Sequence, residues 1–366
     1  MTGEETPSAL RGRNLALDGL RGVAALIVVL GHTLGGLPID IFAKARFAGG
    51  PFGLVVNGDA AVHVFFVLSG LVLSASLVRN HETGVRGLPG YFVRRVFRLH
   101  PPYVAAVLFA WCATHLYPDG PVPTKFIEDW GHVRLSPQQL IPLVLQPPGA
   151  AAWLLPVGWT LRVESIFSAL LPVMVAAMRF HMIAFAIVML LVLRLPLPSH
   201  WAYFAVDFAF GMMLSDPARL AIARTKAVAR LAIAGFFVGL VLLHLPNALH
   251  MSEPGDFLRR VLLIEATGAA LVVAGVLYAS SIERFLSHRF FLYLGRISYS
   301  FYLVHIPVVI VIGSRLTTNT VPMNIAGAAA CILTSMAVAT VMQRLVEEPS
   351  QELGRRFAKS VDRALF

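Results

Sequence analysis

Charge is what this sequence has least of. Only 14% of its 366 residues are Asp, Glu, Lys or Arg, while 57% are hydrophobic; soluble chains average about 25% and about 45–50%. So few charges cannot cover a water-exposed surface, which excludes a soluble globule. Cysteine is scarce as well. Cys112 and Cys331 lie far apart, each inside an apolar run, which fits small core side chains better than a disulfide framework or a metal site. No internal repeat stands out, which disfavours the repeat-built transporter folds, and no low-complexity segment is found. The 30 Lys and Arg outnumber the 20 Asp and Glu. No basic run interleaves with aromatics on a soluble domain, so nucleic acid is not an expected partner. The opening residues are short and polar, and Leu15 begins a full-length apolar span instead of a cleavable signal core.

What is present is a series of apolar runs near the length that crosses a bilayer. Windows bounded by charges, Gly and Pro predict spans near 16–36, 60–78, 100–117, 160–178, 183–195, 201–214, 230–246, 258–279, 297–315 and 322–344. That is an all-α polytopic chain of about ten helices, since lipid leaves helices as the one way to satisfy the backbone of segments without polar–apolar alternation. With both termini cytoplasmic, the inner loops hold about 20 of the 30 Lys and Arg. The expected division is a tail at 1–14, a membrane domain at 15–345 and a second tail at 346–366. The two shortest spans, 183–195 and 201–214, set the parity of everything after them. Segment 118–159 is rich in proline, and its apolar patch Leu140–Leu145 is too short to cross, which suggests a re-entrant or lid-like piece.

Several spans carry ionisable residues, each of which costs on the order of 3 kcal/mol if it faces lipid. In LDGLRGVAALIVVLGH, eleven steps separate Arg21 from His32; at about 100° per residue the two share one helix face about 16 Å apart. Either this is a functional polar stripe, or Arg21 snorkels and His32 packs beside Gly31 and Gly35. In YFVRRVFRLHPPY, Arg95 and Arg98 can present two planar forks from one helix face, which suits a polyphosphate ligand or an ordinary positive-inside anchor. In GWTLRVESIF, Glu164 stands a few residues into an apolar run and needs a partner: Arg162, another helix, or His32. A carboxylate that orients a histidine supports a general base. In LGRISYSFYLVHIPVV, Tyr299, Tyr302 and His305 recur at three-residue spacing; they line a cavity, or His305 serves backbone groups freed by Pro307. His63, Ser69 and Glu265 are further polar residues in apolar runs, and nothing in the sequence chooses between function and packing for Glu265. No metal is expected.

Taken in order, LDGLRGVAALIVVLGH, VHVFFVLSG, RRVFRLHPPY, GWTLRVESIF, LGRISYSFYLVHIPV and LVEEPSQELGRR resemble the signatures of integral-membrane acyltransferase family 3. Three departures are His63, where many members carry Asp, Arg162, where small residues often stand, and Glu348, where a basic residue is frequent. The resemblance implies O-acyl transfer, usually of acetyl from acetyl-CoA, to a hydroxyl at a bacterial cytoplasmic membrane. The acceptor is expected to be a saccharide or glycolipid, with a small macrolide-type molecule as the alternative. On this reading His32 is the general base, oriented by Glu164 or another acid, or else a nucleophile that carries the acyl group. Arg21, Arg95 and Arg98 receive CoA phosphates, and Tyr302 and His305 contact substrate. A proton-coupled transporter is the rival from another class.

Overall fold

A computed structural model of the chain describes residues 14–39, 49–50, 52–79, 87–117, 122–131, 134–145, 147, 154–181, alternate residues from 183 to 189, 203–215, 225–249, 256–316 and 319–365. Among these residues there is no strand. The helices are α1 Leu15–Gly36, α2 Gly58–Arg79, α3 Leu88–Thr114, α4 Lys125–Gly131, α5 Pro137–Leu145, α6 Gly158–Phe180 and α7 Ala205–Leu214. They continue with α8 Lys226–Ala248, α9 Asp256–Tyr278, α10 Ser280–Leu286, α11 Arg289–Gly313, α12 Val321–Met342 and α13 Glu348–Leu365. Among the described residues eight helices are long and apolar enough to cross a membrane, namely α1, α2, α3, α6, α8, α9, α11 and the run that begins with α12. Their lengths match the roughly 20 residues that a hydrocarbon layer of about 30 Å demands. The chain is therefore all-α and polytopic.

Two expectations change, and a third falls on residues that are largely not described. The run expected to span near 201–214 contains a helix of ten residues, Ala205–Leu214, which at 1.5 Å per residue reaches only about 15 Å. The run near 183–195 lies largely outside the described residues. The third span begins at Leu88 instead of near 100, so Arg94, Arg95 and Arg98 sit inside α3, which continues through Pro101 and Pro102. Each proline lacks an N–H and frees the carbonyl four residues back, here on Phe97 and Arg98. Such breaks survive in membrane helices when neighbours supply donors. The Tyr299 hydroxyl on α11 donates to the Leu99 carbonyl, next to the freed ones, at 2.9 Å. The proline-rich segment forms the short helices α4 and α5, with Leu140 and Leu143 buried.

The chain divides into two compact units. The first takes residues from 1–24, 59–83 and 170–296, the second from 25–58, 84–169 and 297–366. In the first, α2 and α7 touch backbone to backbone. A Cβ on Gly70 would lie 2.2 Å from the Phe208 carbonyl oxygen, and one on Gly211 would lie 2.1 Å from that of Val67. Small residues at facing positions are what let two membrane helices approach so closely. Phe66 stacks on Phe208 beside this contact, with ring centroids 5.4 Å apart.

In the second unit, most of the residues at 346–366 form helix α13, which packs along α3. Phe97 and Phe357 stack at 5.6 Å. At the start of α3 the N-cap is Gly87, which has no side chain with which to cap. Asp362 supplies the missing acceptor, taking the Gly90 N–H at 3.0 Å, so a carboxylate near the far end of the chain meets the partial positive charge of a helix N-terminus. Replacing Asp362 by Ala should lower stability by about 1 kcal/mol, as for a lost N-cap, and Asn should recover most of it; thermal unfolding in detergent measures both.

Candidate functional site

The second unit holds most of the polar residues singled out in the sequence. Arg95 on α3 and Glu164 on α6 form an ion pair through Arg95 Nη2, and the same nitrogen donates to Ser168 Oγ at 2.7 Å. Tyr91, one turn before Arg95, donates its hydroxyl to the Ser168 carbonyl at 2.7 Å. Residues 91 and 95 on one helix thus meet 164 and 168 on the other. Both pairs are four apart and so share a face, which gives the two helices a matched ladder. Of the three partners open to Glu164, the one found is another helix; His32 is bonded elsewhere. Arg95 Nε is buried with no hydrogen-bond partner among the described residues, so the guanidinium keeps a donor beyond those that Glu164 and Ser168 occupy.

Arg98 lies one turn along α3, in the electrostatic field of Arg95, Glu347, Glu164 and Tyr299. Glu347 was not singled out in the sequence. It closes a π-helical turn, Gln343–Glu347, between α12 and α13, where the wider turn carries its side chain into a buried position; π-turns are frequent at functional sites. Its carboxylate accepts from Ser300 Oγ at 2.7 Å and from Gln351 Nε2 at 3.2 Å. The signal available beforehand was a Glu-Glu-Pro triplet after an apolar span, with nothing to say which acid turns inward.

His32 on α1 and His305 on α11 stand ring to ring. His32 Nδ1 is 2.9 Å from His305 Nε2, and the rings tilt by 33° at a centroid distance of 5.0 Å. His305 is fully buried and its Nδ1 is 2.8 Å from the Tyr302 carbonyl, so it serves a backbone group near Pro307 and faces a second histidine at once. His32 is half-buried. The Phe126 ring of α4 packs against it at 5.8 Å, and the Val28 carbonyl one turn back also faces it. Tyr302 directs its hydroxyl to Thr160 Oγ1 at 2.9 Å. Because Thr160 donates its own proton to the Val157 carbonyl, the tyrosine is the donor in that contact. Thr160 is another residue that the sequence reading did not mark.

Two further groups lie in the first unit. Arg21 pairs with Asp18 on its own helix at 3.3 Å. His63 on α2 is fully enclosed between two acids, with Nδ1 2.8 Å from Asp207 of α7 and Nε2 3.3 Å from Glu265 of α9. A ring protonated on both nitrogens donates to both carboxylates, so His63 has no free nitrogen for catalysis and ties three helices together. Glu265 thereby acquires the partner that the sequence did not name. Asp207 went unmarked, although a lone Asp in AVDFAFGMML was the available signal.

A sequence profile described as an acyltransferase domain (Acyl_transf_3) matches residues 14–344. A relative in Rhizobium radiobacter, called protein 2 in the picA locus, is 36% identical over 96 residues, which is 26% of this chain and 42% of that protein. No solved structure matches. The Arg95–Glu164 pair generates a direct test of the site's architecture. Glu164→Gln should destabilise the protein by about 3 kcal/mol, since it strands a buried guanidinium, and the double-mutant cycle with Arg95→Met should return a coupling of at least about 1 kcal/mol in unfolding measurements.

Proposed function

Because the chain belongs to the acyltransferase domain family and is a multi-pass membrane protein, we propose that it moves acetyl from acetyl-CoA to a hydroxyl of a cell-surface saccharide or glycolipid, in the cytoplasmic membrane of a bacterium. The observation that carries this reading is His32, a half-buried imidazole held on one side by a buried ring, in the same unit as two adjacent guanidinium groups. Such an imidazole can exchange a proton, and such guanidinium groups can bind phosphate by charge-assisted bonds.

In this mechanism the acceptor hydroxyl oxygen attacks the thioester carbonyl while its proton passes to His32. The tetrahedral intermediate then collapses, the carbon–sulfur bond breaks, and the leaving thiolate takes the proton back from His32. Ester and free CoA thiol are the products. Arg98 and the unused donors of Arg95 receive the phosphates of CoA. Glu164 holds Arg95 in place, so its contribution is to the donor site and not to the imidazole.

Purified His32→Ala should consume acetyl-CoA in the presence of acceptor about 10² to 10⁴ times more slowly, the usual worth of a general base. Near-normal turnover would overturn the assignment. Arg98→Ala should raise the donor KM about 10- to 100-fold at little cost to kcat, matching the roughly 1.5–3 kcal/mol of a hydrogen bond to a charged group. Vesicles that accumulate substrate without covalent acylation would replace the proposal with transport.

A further inference from the structure

His32 and His305, which face each other in the second unit, differ in what surrounds them, and the difference fixes where their protons sit. The Tyr302 carbonyl is an acceptor only, so His305 Nδ1, at 2.8 Å, must carry a hydrogen and donate it. His305 is fully buried, and the groups that face it are the His32 ring and the backbone carbonyls of Tyr302 and Phe301. Among the described residues no carboxylate is one of them. A second proton on this ring would place an uncompensated imidazolium in the interior, which costs several kcal/mol. The ring is therefore neutral, with a bare lone pair on Nε2. That lone pair lies 2.9 Å from His32 Nδ1, and the contact is a hydrogen bond only if His32 Nδ1 carries the hydrogen.

Resting on the reading that His32 is the base, we propose that His305 is a positioning residue that selects the Nδ1–H tautomer of His32 and so leaves the His32 Nε2 lone pair free to take the acceptor proton. The chain runs from His32 Nδ1–H to His305 Nε2, and from His305 Nδ1–H to the Tyr302 carbonyl, with the Val28 carbonyl one turn back on α1 as a further acceptor facing the His32 ring. When His32 becomes protonated on Nε2, its Nδ1–H stays bonded to a neutral ring. This holds the imidazolium in orientation without the charge pairing that a carboxylate would supply. The role differs from that of an acid partner, which would trap the proton more tightly. It also differs from the His63 arrangement, in which two carboxylates engage both nitrogens of one ring. His305 touches neither donor nor acceptor in this scheme and acts through His32.

Nitrogen NMR of the full-length protein labelled with ¹⁵N-histidine in lipid nanodiscs tests the tautomer directly, with the His32 signals assigned by their loss in His32→Gln. In the wild type, His32 should show a pyrrole-type Nδ1 and a pyridine-type Nε2. His305→Gln, whose amide oxygen can accept in place of Nε2, should keep that pattern and most of kcat. His305→Phe should lose the pattern and at least tenfold in kcat while the donor KM holds. The reverse assignment in the wild type, or an unchanged His32 spectrum in His305→Phe, would overturn the inference. Full activity in His32→Ala alongside the expected tautomer would instead strike the functional proposal alone, because the spectrum is recorded without turnover.

Discussion

A polar group taken out of water needs a partner, and in a chain this poor in charge that constraint organises the interior. An unpaired ionised side chain within a span costs several kcal/mol, so each one needs a partner, and most find it on another helix. Arg95 is answered by Glu164 and Ser168, His63 by Asp207 and Glu265, and Glu347 by Ser300 and Gln351. The same demand extends to the backbone. Two prolines in α3 free carbonyl groups, and Tyr299 reaches in beside them from α11. Polar contacts of this kind select which helices become neighbours, where apolar faces alone would be satisfied equally by lipid.

The constraint also sorts the histidines by chemistry. His63 has a carboxylate on each nitrogen and is spent as a link between three helices. His32 has one nitrogen against the His305 ring and is half-buried, an arrangement that suits the proton transfer proposed for it. An imidazole locked between two acids would hold its proton through any catalytic cycle, whereas one oriented by a neutral acceptor can give it up. Arg95 and Arg98 differ in a parallel way. Arg95 is partly consumed by Glu164 and Ser168, while Arg98 sits among acids at longer range, one of them brought in by the π-turn before α13. The segment after the last apolar span thus belongs to the site's framework. Its Asp362 caps α3, the helix that bears both arginines.

Reading the residues in order was enough to mark His32, Arg95, Arg98, Glu164, Tyr302 and His305, because an ionisable or hydroxyl side chain inside an apolar run is conspicuous against its neighbours. It was not enough to pair them. Glu164 had three chemically reasonable partners, and a helical wheel cannot choose among residues on other helices. Ser168, Thr160, Asp207 and Glu347 went unmarked for a related reason: serine and threonine bond their own helix so often that they carry little signal, and the acids gained meaning only from what they face.

Hydropathy and length by themselves determined that the chain is helical and crosses a membrane repeatedly, because the cost of an unsatisfied backbone in lipid is paid within each segment and needs no knowledge of the rest. Composition excluded the soluble and disulfide-rich classes for the same local reason. Tertiary structure alone decided that α3 starts twelve residues before its apolar run, that Glu164 pairs with Arg95, and that a second histidine faces the first. Those choices join positions 69 and 273 residues apart, and hydrogen bonds over such separations depend on which helix faces meet, a property of the folded chain and not of any stretch of it.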